Sequence, residues 1–296
     1  MSASETLAVV VVTYAPGPSL ATFLDSLQYA TSRPLDVVLA DNTEGDASDP
    51  AVREATHRAG VRVLPSGRNV GYGRAANAGV AATDTEFVVI ANPDVAWESG
   101  SLDELLAATA RWPRGASFGP LIHTPERMVY PSARELPSLG RGIGHALCGW
   151  WWPGNPWTAA YRRERGNPVE RPAGWLSGSC LLVRRAAFDL VGGFDPGYFM
   201  YFEDTDLGER LGRAGWQNVY VPSAVVVHTG GHATERDKRR MLAEHHRSAW
   251  RYLSRRYAGW RWAPVRWVLR VGLAARAFLA MRSPRVAAGA APQQRT

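Results

Sequence analysis

Five short polar stretches carry residue types able to do chemistry, and each lies where an apolar run ends or a helical run begins. Phe202-Glu203-Asp204-Thr205-Asp206-Leu207 crowds three carboxylates. Like charges so close raise at least one pKa unless cations or a helix start compensate, which makes Asp204 a candidate general base. The same residues would also complement an ordinary helix N-terminus. Asn92-Pro93-Asp94 follows the apolar run Phe87-Val88-Val89-Ile90-Ala91. A carboxylate on a rigid proline turn suits a divalent ion that also holds a diphosphate, because Mg2+ takes few protein oxygens. A type I turn would use the same three residues. His228-Thr229-Gly230-Gly231-His232 follows Ala224 to Val227, and an imidazole there can complete a site made otherwise of one carboxylate and phosphate oxygens. A single histidine after a strand serves structure more often than metal.

Two further stretches look suited to a nucleotide. Asp41-Asn42 closes the run Val37-Val38-Leu39-Ala40, and a carboxylate there can accept the imide N–H of uracil or thymine. Alone, the pair reads more readily as a turn. Arg68-Asn69-Val70-Gly71-Tyr72-Gly73-Arg74-Ala75-Ala76-Asn77 sets two glycines ahead of a helix. Backbone can approach a ligand closely there, and helix-start N–H groups favour anions. The third glycine of the dinucleotide fingerprint is missing, so a structural loop is as well served.

The elements that would position these groups alternate. Leu7 to Thr13 reads as strand, Ser19 to Tyr29 as helix, Asp36 to Ala40 as strand, Pro50 to Ala59 as helix and Val61 to Leu64 as strand. Arg74 to Ala82 then reads as helix and Phe87 to Ala91 as strand. Short, fully apolar strands alternating with helices predict a mainly parallel sheet covered on both faces, with ligands at the carboxyl ends of the strands. From Pro113 to Pro172 the chain is rich in Pro, Gly and Trp, including Trp150-Trp151-Trp152, and reads as irregular loop. Gly174 to Arg184 returns to strand character and Asp204 to Ala214 to helix.

At 296 residues, with 46% hydrophobic and 21% charged residues, the chain can bury a substantial core and is not disordered. A formal net charge of +7 points to an anionic partner without choosing one. The two cysteines, Cys148 and Cys180, do not make a disulfide framework, so a reducing compartment is expected. The start lacks the features of a signal peptide, and no run of about 20 apolar residues offers a membrane span. A soluble or peripheral cytoplasmic protein is expected. Nucleic acid would also suit the charge, but carboxylates at strand ends would repel phosphates and no nucleic-acid motif is present.

In this order the stretches resemble family 2 glycosyltransferases of the GT-A nucleotide-sugar fold, and among them the bacterial rhamnosyltransferase branch. The resemblance spans about Leu7 to Tyr257. It rests on Val9-Val10-Val11-Val12-Thr13-Tyr14, Asp41-Asn42, Asn69-Val70-Gly71-Tyr72-Gly73 with Asn77, and Asn92-Pro93-Asp94. Trp175-Leu176-Ser177-Gly178-Ser179-Cys180, Gly192-Gly193-Phe194-Asp195, Glu203-Asp204-Thr205-Asp206-Leu207 and His228 complete it. It implies an α/β GT-A domain over residues 1–244, followed at 245–296 by a basic, helical, amphipathic region with a disordered tail. Asp41 would read a pyrimidine base, with Thr13 and Tyr14 lining the nucleotide pocket and Asn69, Gly71, Asn77 and Asn92 bordering the donor. Asp94 and His228 would hold Mg2+ or Mn2+ on the diphosphate. Trp175, Ser177, Gly178 and Glu203 would face the acceptor, and Asp204 would be the base of an inverting transfer. The usual Asp-x-Asp metal motif has Asn92 at its first position, a form this branch often carries.

The longer similarity, through His245-His246-Arg247-Ser248 and the Trp-rich loop, implies dTDP-rhamnose as donor. The implied acceptor is a polyprenyl-diphosphate-linked N-acetylglucosamine of cell-wall linker (arabinogalactan-peptidoglycan) synthesis. Transfer of another sugar from a UDP or GDP donor is the alternative within the family. After Glu244 there is no Asp or Glu, while Arg247, Arg251 and Arg255 recur four apart, opposite Trp250, Leu253 and Tyr257. A helix starting at Pro264 would gather Trp267, Val271 and Phe278 on one side and Arg266 and Arg270 on another. Such helices suit an anionic membrane surface, the enzyme's own body or a homodimer contact.

Overall fold

The four valines of β1 (Leu7–Thr13) are buried, as is the whole strand, because it lies inside a sheet that helices cover on both sides. The computed structural model describes residues 7–44, 49–137, 168–230 and 238–281. Parallel strands flank β1: β2 (Leu35–Asp41) on one side, followed by β3 (Val61–Pro65), and β4 (Phe87–Ala91) on the other. Beyond β4 the direction reverses. β11 (Cys180–Arg184) runs antiparallel to β4 and to β6 (Gly115–His123), which pairs in parallel with β12 (Gln217–His228). β5 (Val95–Trp97) closes the order β3-β2-β1-β4-β11-β6-β12-β5, while β7 (Val129–Tyr130) and β9 (Arg171–Ala173) pair β6 and β12. A small separate ladder joins β8 (Ala133–Arg134) to β10 (Trp175–Leu176).

Alternate residues of the central strands feed two cores. Val9, Val11, Leu39 and Val89 meet α1 (Ser19–Ala30), α2 (Pro50–Ala55) and α4 (Ser101–Arg111) through Leu20, Phe23, Val52, Leu102 and Leu105. Ala8, Val10, Val38 and Ile90 meet α3 (Tyr72–Ala81), α5 (Arg185–Leu190) and α6 (Glu203–Arg213) through Ala76, Val80, Phe188 and Leu207. This is the mostly parallel α/β architecture read from the sequence. It differs in detail: α2 ends at Ala55, a turn at 177–179 splits the Gly174–Arg184 stretch, and β12 begins well before Ala224. The Trp-rich loop at 150–157, Cys148 and the tail from Ala287 lie outside the described residues.

The helical C-terminal part consists of α7 (Lys238–Arg256) and α8 (Ala263–Met281). The boundary expected at 244/245 falls inside α7, which crosses it unbroken. The buried face of α7 is Glu244, Ser248, Ala249 and Tyr252, not the Trp250, Leu253 and Tyr257 face expected. Its arginine stripe is not a free basic surface either. Arg251 reaches Asp195 at 2.9 Å, Arg255 pairs with the same carboxylate, and Arg247 pairs with Glu244. The correction is physical: an acid 56 residues earlier, on the loop before α6, supplies the counter-charge. Among the described residues no helix is long and apolar enough to cross a membrane.

Candidate active site

The carboxyl ends of β1, β2, β4 and β12 open onto one side of the sheet, as parallel α/β topology requires. At the end of β2, Asp41 is buried. Its Oδ1 accepts from the Thr13 hydroxyl at 3.0 Å, the Thr43 hydroxyl at 2.8 Å and the Thr43 N–H at 3.2 Å. Asn42 ties this strand end to the glycine loop, donating to the Gly71 carbonyl at 3.2 Å and accepting from the Val70 N–H at 3.3 Å. Asn69 caps its own loop by accepting from the Gly71 N–H at 3.1 Å. Tyr14, following Thr13, is 39% exposed.

Past β4, the Asn92 N–H donates to the Ser179 carbonyl at 2.9 Å, fixing the Asn-Pro-Asp turn against the start of β11. Asp94 Oδ1 lies 3.1 Å from His228 Nε2, across the antiparallel pairing of β5 with β12. The Thr229 N–H and hydroxyl both bond the Asp94 carbonyl, so the pair is held by backbone on each side. Both side chains keep some exposure, 14% for Asp94 and 18% for His228.

Asp204 begins α6. The Gly178 N–H donates to its Oδ2 at 3.0 Å and the Thr205 N–H to its Oδ1 at 2.7 Å. Tyr72, the first residue of α3, donates its hydroxyl to the Gly178 carbonyl at 2.5 Å, joining the glycine loop to the base. Burial raises the Tyr72 phenol, as do the nearby charges of Glu203, Asp204 and Asp94, so it remains a donor. Burial also raises the Asp204 carboxyl above the usual range, against the lowering pull of Gly178, Thr205 and the positive charge of Arg134. Glu203 is raised by its own burial and then by the Asp204 charge.

A family model described as "Glycosyl transferase family 2" matches residues 8–192, well over half of the chain. The chain belongs to glycosyltransferase family 2. It is 54% identical over 291 residues to the N-acetylglucosaminyl-diphospho-decaprenol L-rhamnosyltransferase of Mycobacterium tuberculosis, covering 95% of this chain and 94% of that one. The rhamnosyltransferase WbbL of Escherichia coli is 43% identical over 82 residues, 28% of this chain and 31% of that one. Among solved structures, the mannosyltransferase PcManGT from Pyrobaculum calidifontis, in complex with GDP-Man and Mn2+, aligns with a TM-score of 0.53 at 19% identity. That alignment covers 97% of this chain and 76% of PcManGT. GalNAc-T7 with UDP, GalNAc and Mn2+ aligns with a TM-score of 0.56 at 16% identity, over 76% of this chain and 44% of that one. These likenesses give the glycosyltransferase its GT-A fold.

Several of the residues expected at the site also make contacts within the fold. Thr13 is fully buried and donates its hydroxyl to Asp41. Asn77 commits both ends of its amide to the Phe194 backbone, at 2.8 and 2.9 Å, so it fastens the Gly192–Phe194 turn. Gly178 and Ser177 turn inward, Gly178 to orient Asp204 and Ser177 to pair with Ser179 at 3.1 Å. Glu203 is buried between α6 and α3, where its Oε2 has no hydrogen-bond partner among the described residues. Of the four acceptor residues expected, Trp175 alone remains part-exposed beside the base.

The residues that the sequence reading left without a role are Tyr72, Arg134 and Asp195. Tyr72 lies inside a quoted motif, and its helix-start position was the one signal available. Asp195 anchors α7, and α7 in turn braces the approach to the base: the Ser248 hydroxyl bonds the Met200 carbonyl at 2.8 Å, and Tyr252 packs on Phe202. Tyr201 and Phe202 both hold positive φ, 69° and 66°, a strained pair immediately ahead of Glu203 and Asp204. The helical extension therefore packs on the segment that leads into Asp204.

Among the described residues no group of three or more His, Cys, Asp or Glu is arranged to hold a metal, and Asp94 and His228 are two neighbouring side chains that could share one. Their fit is good. Two neighbouring ligands on an octahedral ion at about 2.1 Å stand about 3 Å apart, and these atoms are 3.1 Å apart.

Proposed function

We propose that this family 2 enzyme transfers L-rhamnose from dTDP-rhamnose to N-acetylglucosaminyl-diphospho-decaprenol, inverting the anomeric carbon, in synthesis of the cell-wall linker. The observation that carries the reaction class is the Asp204 carboxylate, held by the Gly178 and Thr205 N–H groups and joined through Gly178 and Tyr72 to the glycine loop. Identity of 54% along nearly the whole chain to an enzyme named for that acceptor and sugar supports the substrates.

In this reading the thymine end of the donor lies towards Asp41, Tyr14 and Asn69, and its diphosphate towards Asn92, Asp94 and His228. Asp94 and His228 would hold Mg2+ or Mn2+, which when bound stabilises negative charge on the leaving diphosphate. Asp204 takes the proton of the acceptor hydroxyl as that oxygen bonds to the anomeric carbon. The bond from the anomeric carbon to the phosphate oxygen breaks, and its electron pair leaves with dTDP. Tyr72, kept protonated, holds the Gly178 peptide whose N–H aims the base.

The test is a donor panel with an N-acetylglucosaminyl-diphospho-polyprenol acceptor, with and without chelator. Rhamnosylated product is expected from dTDP-rhamnose, lost with EDTA and restored by Mg2+ or Mn2+. A UDP- or GDP-sugar serving better than dTDP-rhamnose would overturn the donor assignment.

A lipid acceptor places the enzyme at a membrane surface, and α8 together with the turn before it, Trp260–Trp262, supports that. Trp260, Trp267, Val268 and Val271 are 81%, 68%, 62% and 49% exposed, with Arg261 and Arg270 among them. Exposed aromatics interleaved with arginines suit the headgroup region of an anionic bilayer. Replacing Trp260 and Trp267 by Ser is expected to cut co-sedimentation with anionic vesicles about tenfold without changing the melting temperature. Unchanged binding would remove α8 from the membrane contact.

A further inference from the structure

Arg134 stands opposite Trp175 in the β8–β10 ladder. Its guanidinium carbon lies 5.5 Å from the Trp175 ring centroid and 5.6 Å from that of Tyr130, and its Nε donates to the Pro131 carbonyl at 2.7 Å. Two rings and one hydrogen bond remove most of the freedom that a long side chain would lose on meeting a ligand. Among the described residues its terminal Nη groups have neither a hydrogen-bond nor an ion-pair partner, although the residue is part-exposed.

The ladder fixes where this cation points its charge. Trp175 rests on Gly208 of α6, where a Cβ would lie 2.7 Å from the Trp175 Cβ. Gly208 is one helical turn after Asp204, so Trp175 and Asp204 share a face of α6. Two residues past β10 comes Gly178, whose N–H holds Asp204 at 3.0 Å. Arg134 is close enough for its charge to act on the Asp204 carboxyl, yet that carboxylate is already held by Gly178 and Thr205. A planar, unpaired donor fork on a rigid mount recognises phosphate and carboxylate oxygens two at a time.

We propose that Arg134, held by Trp175 and Tyr130, is the binding site for the diphosphate of the acceptor. This rests on the reading of the acceptor as a diphosphate-linked sugar. In that reading the donor diphosphate is assigned to Asp94 and His228. An acceptor sugar that offers a hydroxyl to Asp204 still carries its anomeric diphosphate on the same ring, and Arg134 is the rigidly mounted cation near the base that would meet it. The site thus selects sugars that are still on their lipid diphosphate over neutral glycosides of the same sugar.

Steady-state kinetics on two acceptors test this: a short-chain N-acetylglucosaminyl-diphospho-polyprenol, and octyl N-acetylglucosaminide, which carries no phosphate. Wild type is expected to prefer the first strongly. Arg134→Met, which keeps an apolar stem between the rings, is expected to lose about 10- to 100-fold in kcat/KM on the diphosphate acceptor, mainly through acceptor KM. On the neutral glycoside it should change about threefold or less, with donor KM unaltered. Arg134→Lys, which keeps a charge without the fork, should recover part of the loss. Equal losses on both acceptors, in either variant, would overturn the site and assign the arginine to the base or the fold. A wild type that uses both acceptors equally would instead overturn the diphosphate-linked acceptor itself, and the site with it.

Discussion

Asp204→Asn is expected to lower kcat by about 10²- to 10⁴-fold, with donor affinity within about a factor of two of wild type. The amide matches the carboxylate in shape but cannot take up the acceptor's proton. It also keeps just one of the two acceptor oxygens that Gly178 and Thr205 now use. A small fall in melting temperature therefore accompanies the kinetic loss and does not account for it. The pH dependence separates the two. Burial raises the Asp204 carboxyl, so kcat/KM of the wild type should fall as pH drops through a value above the ordinary carboxylate range. Above that value the base is charged and competent; below it the base carries the proton it must accept. Residual activity of the Asn variant should lack this acid limb. Turnover near the wild-type level, or an unchanged acid limb, would remove Asp204 from the role of base.

How far the sequence exposed all this depended on whether a signal was local. The strands β1 to β4 were legible because each is a short run dominated by apolar, mostly β-branched residues, and the alternation with helices put Thr13, Asp41 and Asn92 at strand ends. Nothing local marked β11 as antiparallel, since a strand buried on both faces looks the same in either direction. The acidic cluster was legible as a cluster, but not in its projections. Successive residues of a helix turn by about 100°, so Glu203, Asp204 and Asp206 leave α6 in different directions. Asp206 meets Arg210 at 2.6 Å, Glu203 is buried, and Asp204 accepts from the Gly178 and Thr205 N–H groups. The arginine stripe of α7 showed its period but not its partner, Asp195 being far off in sequence. Arg134 had no motif around it, and its meaning depends on Trp175 and Tyr130 arriving from two other strands.

Gly71→Ala is expected to cost about 3 kcal/mol of stability or more, and to abolish most activity in whatever fraction folds. The residue sits at φ 89° and ψ 166°, a region that is essentially glycine-only. A Cβ there would also stand 2.4 Å from the Phe199 carbonyl oxygen and 2.9 Å from the Phe199 Cα, and backbone cannot swing aside as a side chain can. Gly67→Ala is the natural control. Its φ is 68°, so it too is strained, but nothing lies within 4 Å of the added carbon. That variant should lose about 1 to 2 kcal/mol and keep its turnover. The difference measures one contact, and the contact matters because of what meets there. Gly71 offers its carbonyl to Asn42 beside Asp41, while the next residue, Tyr72, takes the Phe199 carbonyl with its N–H at 3.0 Å and reaches Gly178 with its hydroxyl. The nucleotide loop and the segment leading to Asp204 are thus pressed together across a single hydrogen-sized gap. Widening it by a methyl group would part the donor half of the cleft from the base. Equal losses in the two variants, measured by denaturant unfolding, would mean that Phe199 yields and that the two halves are not rigidly coupled.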